Sequence, residues 1–122
     1  VFSGGRYVIL SAVFRMNSGG QQIQNTMREY MKKRISGQPL NLPNAGSIFK
    51  RPEGFYVGSI IEELGMKGLR EGGIAVSEKH AGFMVNLGGG TCAQLRTLID
   101  TVKRRVKEAY GVELCCEIRF VE

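Results

Sequence analysis

"TCAQLRTLIDTVKRRVKEAYGVELCCEIRFVE", Thr91 to Glu122, changes its period halfway along. Up to Tyr110, Leu95, Leu98, Ile99, Val102 and Val106 recur at helical spacing and form one stripe, with Lys103, Arg104 and Lys107 largely off it. Thr91 is a residue of N-cap type and Gly111 one that stops helices, so the spacing predicts a helix over 91–110. Beyond Gly111 the period falls to two. Leu114, Cys116, Ile118 and Phe120 alternate with Cys115, Glu117, Arg119 and Val121. That alternation predicts a strand whose apolar face packs on helices while Glu117 and Arg119 emerge together on the other side. Helix and strand signals within one short chain point to the α+β class, with helices packed against a small mixed or antiparallel sheet.

Working back from this stretch, "NLGGGT", Asn86 to Thr91, leads from a strand into the helix. Free amides at a helix start can cradle phosphate. Neither GxxxxGK[ST] nor GxGxxG can be written here, so the residues read as a tight strand-to-helix turn. Two short strands are expected near Ile74–Val76 and Gly82–Asn86, with glycine turns between them. "SIIEEL", Ser59 to Leu64, reads as a short helix stopped by Gly65, and Ser47–Lys50 as a short strand. "SGQPLNLPN" holds two prolines and is expected to run as an extended connector. Ile23, Met27, Tyr30 and Met31 fall at helical spacing, which predicts an amphipathic helix over Gln21–Arg34. Its cations, Arg28, Lys32, Lys33 and Arg34, gather towards the C-terminal end, where they suit the dipole. "YVILSAVF", Tyr7 to Phe14, is rich in β-branched and aromatic residues and reads as a strand broken by "NSGG".

The length of 122 residues fits one ordinary domain with a modest core. A hydrophobic share of 43% and a mean hydropathy of −0.11 suit a soluble globular chain rather than a disordered one. No apolar run approaches bilayer length, and no signal-peptide pattern opens the chain. The first residue is Val1, and a fragment of a longer protein is the preferred reading over a processed one. The cysteines are Cys92, Cys115 and Cys116, with no spacing that suggests zinc, so a reducing cytoplasm is the expected setting.

A formal charge of +6 and a pI near 9.5 suit an anionic partner: nucleic acid, a phosphorylated metabolite or a membrane surface. The cations at Lys103, Arg104, Arg105 and Lys107 would serve a basic nucleic-acid-binding module. No aromatics interleave with them and no nucleic-acid motif accompanies them, so a solvated helix face is the better reading.

Three residues stand out singly. His80 is the lone histidine; it has no partners for a metal, but its polar loop, "SEKHAG", leaves ligand contact open. Glu117, two residues from Arg119, is either half of a surface ion pair or, in a cleft, a group that stabilises a substrate or relays a proton. Ser47 lies in "NAGSIFKRPEGFYVG", Asn44 to Gly58, with no GxSxG around it, and taken alone it is turn material.

Taken together, the segments carry more. "QPLNLPNAGSIFKRPEG", "IIEELGMKGLREGGIAVSEKHAGFMVN" and "YGVELCCEIRFVE" resemble, in order and spacing, the C-terminal part of the UDP-N-acetylenolpyruvoylglucosamine reductase (MurB) family. The resemblance spans nearly the whole chain. It implies three parts: residues 1–20 as the terminal strand of a truncated FAD-binding domain, 21–37 as a linker helix, and 38–122 as the substrate-binding domain. The family's reaction is the reduction of UDP-N-acetylglucosamine enolpyruvate to UDP-N-acetylmuramate in cytoplasmic peptidoglycan synthesis, with NADPH as reductant and FAD held mainly by N-terminal domains.

By motif match, Ser47 corresponds to the general acid and Glu117 to the glutamate that assists at the developing enolate. Arg51 falls at a substrate-contact position, and His80 falls where other members place a polar substrate-contacting residue. Lys50 and Lys79 add to the positive field. The "GSxFKRP" form and compact linker are similar to the shorter branch of the family, which lacks an added capping loop. Two other readings remain beside this one: a standalone nucleotide-sugar-binding domain without turnover, and the nucleic-acid module.

Overall fold

The structure, a computed structural model, describes residues 8–121. Its elements run α1 (Gln21–Gly37), β1 (Asn44–Ser47), α2 (Val57–Glu63), β2 (Arg70–Glu71), β3 (Ile74–Val76), β4 (Phe83–Asn86) and α3 (Cys92–Tyr110). The described chain divides between Met31 and Lys32 into two units.

In the first unit, residues 8–20 form no regular structure. The strand expected over Tyr7–Phe14 is therefore corrected: Tyr7 lies outside the described residues, and Val8–Phe14 has no strand partner among the described residues. A strand without a neighbour leaves its amides and carbonyls unpaired, and β-branched composition does not offset that. Val8, Leu10, Val13 and Phe14 are all exposed. Helix α1 starts as predicted and runs past Arg34 to Gly37, its residues from Lys32 on belonging to the second unit, because nothing before Pro39 breaks it. None of its residues is buried, and Ile23, Met27, Tyr30 and Met31 are exposed.

The second unit is built on a four-stranded antiparallel sheet of order β1-β4-β3-β2. Ile74, Val76 and Met84 pack with Leu98, Ile99, Val102 and Val106 of α3 and with Ile60 and Ile61 of α2 in one core cluster. The stripe predicted for α3 is thus the stripe that is buried. Its ends match as well. Thr91 is the N-cap, and the Thr91 hydroxyl and the Gln94 side chain each accept from the other residue's amide, forming a capping box. Gly111 closes the helix in the left-handed region, at φ 68°.

Other boundaries shift. The strand expected over Ser47–Lys50 lies earlier, at Asn44–Ser47, and Phe49 forms only a single bridge with Cys116. Helix α2 occupies Val57–Glu63 rather than Ser59–Leu64, and β2 had no counterpart in the sequence reading.

The C-terminal strand is also corrected. Residues 111–121 form no strand beyond the Cys116 bridge, yet the alternation holds in burial. Leu114 is buried and Cys116, Ile118 and Phe120 are half-buried against the core, while Cys115, Glu117 and Arg119 are exposed. The amide of Glu117 donates to the Ile48 carbonyl at 2.8 Å, and that of Lys50 to the Cys115 carbonyl at 2.8 Å. Side-chain burial therefore keeps its period of two even where the ladder is only one bridge long.

Candidate functional site

The register of β1 sets up the site. Asn44 faces Val85 and Ser47 faces Phe83, so β1 uses one more residue than β4 over the same span: a β-bulge. Gly46 absorbs it at φ 82°, a conformation that side-chain-bearing residues rarely adopt. Asn44 organises the approach, donating to the carbonyls of Pro39 and Leu42 and accepting the Gly46 amide at 3.0 Å. Bulges re-aim the residue that follows, and here that residue is Ser47.

Ser47 lines an open cleft of about 370 Å³ together with Arg51, Tyr56, Gly58, Lys79 and His80. Its hydroxyl lies 3.5 Å from the Phe49 carbonyl, too long for a strong hydrogen bond, so the group is available to a ligand.

His80 is held from several sides. The Ser77 hydroxyl, itself buried, accepts the amides of Lys79 at 3.2 Å and His80 at 3.3 Å. The Gly82 amide donates to His80 Nδ1 at 3.1 Å, which makes Nδ1 the acceptor and leaves Nε2 as the ring's donor. The imidazole meets the Phe83 ring edge-on at 4.9 Å. A Cβ on Gly58 would stand 3.3 Å from His80 Cε1, and one on Gly82 3.0 Å. The ring fits because both neighbours are glycine.

The charge of the cleft is mixed, with the negative partner already engaged. Glu62 pairs with Lys67 at 2.5 Å. Lys79 Nζ donates to the Ile35 carbonyl in the last turn of α1, at 2.5 Å. The Arg51 guanidinium lies over the Tyr56 ring at 3.8 Å. An arginine, a lysine, an imidazole donor and a free hydroxyl around one opening suit a ligand rich in anionic oxygens and hydroxyls.

Of the residues singled out from sequence, Ser47, Arg51 and His80 are brought together. Glu117 is exposed and is not among the residues lining this cleft, although its backbone is bonded to Ile48, one residue from Ser47. Sequence reasoning missed Tyr56, Ser77 and the two glycines against His80. For Tyr56 a signal existed: Arg51 precedes it across "PEGF", which opens with a turn sequence. The glycines gave none, since their role depends on a ring from a distant loop.

Two other features take bland roles. Asn86 Oδ1 accepts the amides of Gly88 and Gly90 at 2.9 and 3.1 Å, and Gln94 Oε1 accepts that of Thr91 at 3.0 Å. The glycine-rich turn thus gives the amides of Gly88, Gly90 and Thr91 to its own side chains. On the basic face of α3, Arg104 pairs with Glu108 at 3.2 Å and Lys107 with Glu113 at 2.5 Å. The hydrogen bond and charge of Lys107 hold the Glu113 carboxyl below its usual range. Among the described residues no helix is long and apolar enough to cross a membrane, and no cluster of three metal-ligating side chains occurs.

Comparison with known proteins adds to this geometry. The profile of the UDP-N-acetylenolpyruvoylglucosamine reductase C-terminal domain matches residues 38–121. The chain is 56% identical over 101 residues to the UDP-N-acetylenolpyruvoylglucosamine reductase of Thermotoga maritima, covering 82% of this chain and 36% of that protein. It is 44% identical over 122 residues to that of Pseudothermotoga lettingae, covering 98% of this chain and 43% of the relative. Among solved structures it resembles the crystal structure of UDP-N-acetylenolpyruvylglucosamine reductase (MurB) from Thermus caldophilus. That match has a TM-score of 0.62 and 38% identity, covering 77% of this chain and 33% of the other. The chain therefore spans well under half the length of these relatives.

Proposed function

We propose a function from the premise that this chain belongs to the UDP-N-acetylenolpyruvoylglucosamine reductase family, whose C-terminal domain it carries: it is the substrate-binding part of a reductase that makes UDP-N-acetylmuramate from UDP-N-acetylglucosamine enolpyruvate. The observation that carries this reading is the cleft in which Ser47, Arg51 and His80 converge. In the proposal the enzyme is cytoplasmic, uses NADPH and serves peptidoglycan synthesis.

In the proposal FAD would be held outside this chain's described residues and would supply the reducing hydride. The glycine-rich turn before α3 is a poor cradle for a cofactor's diphosphate, because Asn86 and Gln94 take the amides of Gly88, Gly90 and Thr91. The proposal therefore places the flavin with the family's N-terminal domains, and residues 1–20 and 21–37 with the end of that region and its linker helix.

The remaining steps belong to this chain. Arg51 binds diphosphate oxygens through its forked N–H groups, and Lys79 adds to the positive field. His80 donates from Nε2 to a substrate oxygen. Ser47 delivers a proton to the carbon next to the one that is reduced. A hydroxyl is a weak acid in water, and fixed placement beside cations is what makes it competent. Glu117 assists where negative charge gathers on the substrate carboxylate.

The test is Ser47→Ala in the full-length protein, followed by separate half-reactions. NADPH-driven flavin reduction is expected to persist while reduction of the enolpyruvyl ether collapses. Equal loss of both would reduce Ser47 to a support of the fold.

A further inference from the structure

We infer that Tyr56 is a positioning residue that presents Arg51 to an anionic group of the ligand. The inference rests on the reading of the cleft as a site for a nucleoside-diphosphate sugar, and it adds a residue to that site.

The chain between the two residues folds back on itself. The Phe55 amide bonds the Pro52 carbonyl at 3.3 Å, and Gly54 sits at φ 76° in the turn. Tyr56 then becomes the N-cap residue of α2, extended at φ −103° and ψ 104°, and its side chain makes no capping bond. Its carbonyl accepts the Ile60 amide at 3.2 Å, which anchors the backbone in the helix start. The side chain is left to project into the cleft, where its ring lies under the Arg51 guanidinium with the central carbon 3.8 Å from the ring centroid. Tyr56 is 64% exposed, so no core packing explains its placement.

The chemistry of stacking is what makes the arrangement useful. A guanidinium held by its face keeps every N–H on its rim free, whereas one held by a carboxylate has already committed part of its fork. Among the described residues no carboxylate pairs with Arg51. Tyr56 thereby removes rotamer freedom from a long cationic side chain without using the donors that bind phosphate oxygens.

A double-mutant cycle in the full-length protein tests this. Tyr56→Leu is expected to raise KM for the UDP-sugar, and Kd for UDP as probe, about two- to fivefold, the size of an exposed cation–π contact. The kcat and flavin reduction by NADPH stay unchanged. Tyr56→Phe keeps the ring face and stays within about twofold of the parent. In an Arg51→Ala background, Tyr56→Leu adds nothing.

Equal effects of Tyr56→Leu with and without Arg51 would overturn the assignment, as would a Tyr56→Phe variant as weak as Tyr56→Leu. The two levels of the argument separate cleanly. Coupled UDP binding without turnover of the enolpyruvyl ether in the parent protein would sink the reductase reading and leave the pair standing. Full turnover without coupling would sink the pair alone.

Discussion

Ser47 and His80 converge on one point. A Cβ placed on Gly82 would lie 3.7 Å from Ser47 Oγ and 3.2 Å from His80 Nδ1. The two groups come from different segments, one after a bulge in β1 and the other from the loop before β4, and Gly82 sets how near they stand. Gly82→Ala should therefore push the imidazole off its seat and break the bond from the Gly82 amide to Nδ1. We expect a KM for the UDP-sugar raised about tenfold, equivalent to about 1.4 kcal/mol. The thermal midpoint should fall as well, because Gly82 is buried and its carbonyl accepts the Ile48 amide at 2.9 Å. An unchanged KM, read by steady-state kinetics on the full-length protein, would show that the seat of His80 does not matter to the ligand.

Gly46→Ala probes the other half of the pair. Nothing lies within 4 Å of a Cβ built there, so the cost is confined to backbone strain at φ 82°. For a residue forced into the left-handed region this is about 1–2 kcal/mol. If the variant instead flattens the bulge, Ser47 loses its aim, and reduction of the enolpyruvyl ether should fall further than stability does. Urea unfolding and single-turnover kinetics on the same protein separate the two. A variant as stable and as active as the parent would remove the bulge from the account.

What could be read in advance was what is local. Helix α3 was legible from its stripe and from Thr91 and Gly111, which act within one turn of their own backbone, while the Gln94 half of the capping box appears only in the structure. The strand over 111–121 was half legible. Burial follows the alternation of Leu114, Cys116 and Ile118, but the ladder depends on what Ile48 to Lys50 offer across the sheet, and that is one bridge. The Tyr7–Phe14 segment has the composition of a strand, and its described part, Val8–Phe14, has no partner among the described residues. In the cleft, Ser47 and Arg51 rested on the family resemblance rather than on pattern. The seat of His80 was invisible because it consists of absent side chains, Gly58 and Gly82, around a ring from elsewhere.

Thr91→Ala serves as the control for stability without function. It removes the N-cap hydroxyl that accepts the Gln94 amide at 3.2 Å, and caps of this kind are worth about 1 kcal/mol. Thr91 does not line the Ser47 cleft. The denaturant midpoint should drop while the Kd for UDP, by isothermal titration below the transition, stays the same. A weakened Kd would mean that the capping turn and the cleft are energetically linked.

Glu117 carries the sharpest risk. It is exposed and does not line the cleft, yet its amide bonds the Ile48 carbonyl at 2.8 Å, directly beyond Ser47. Glu117→Gln keeps the shape and that backbone bond while removing the carboxylate. If the carboxylate assists at the developing enolate, the substrate-reduction step in single-turnover kinetics should slow by about a hundredfold or more, the usual scale for a positioned acid–base group. The KM and the NADPH half-reaction should hold steady, as should the melting temperature, since nothing buried depends on an exposed side chain. If Glu117 is only surface, the variant matches the parent in every one of these. Substrate reduction at the parental rate would confine the chemistry to Ser47, Arg51 and His80 and return Glu117 to the solvent-facing side of its segment.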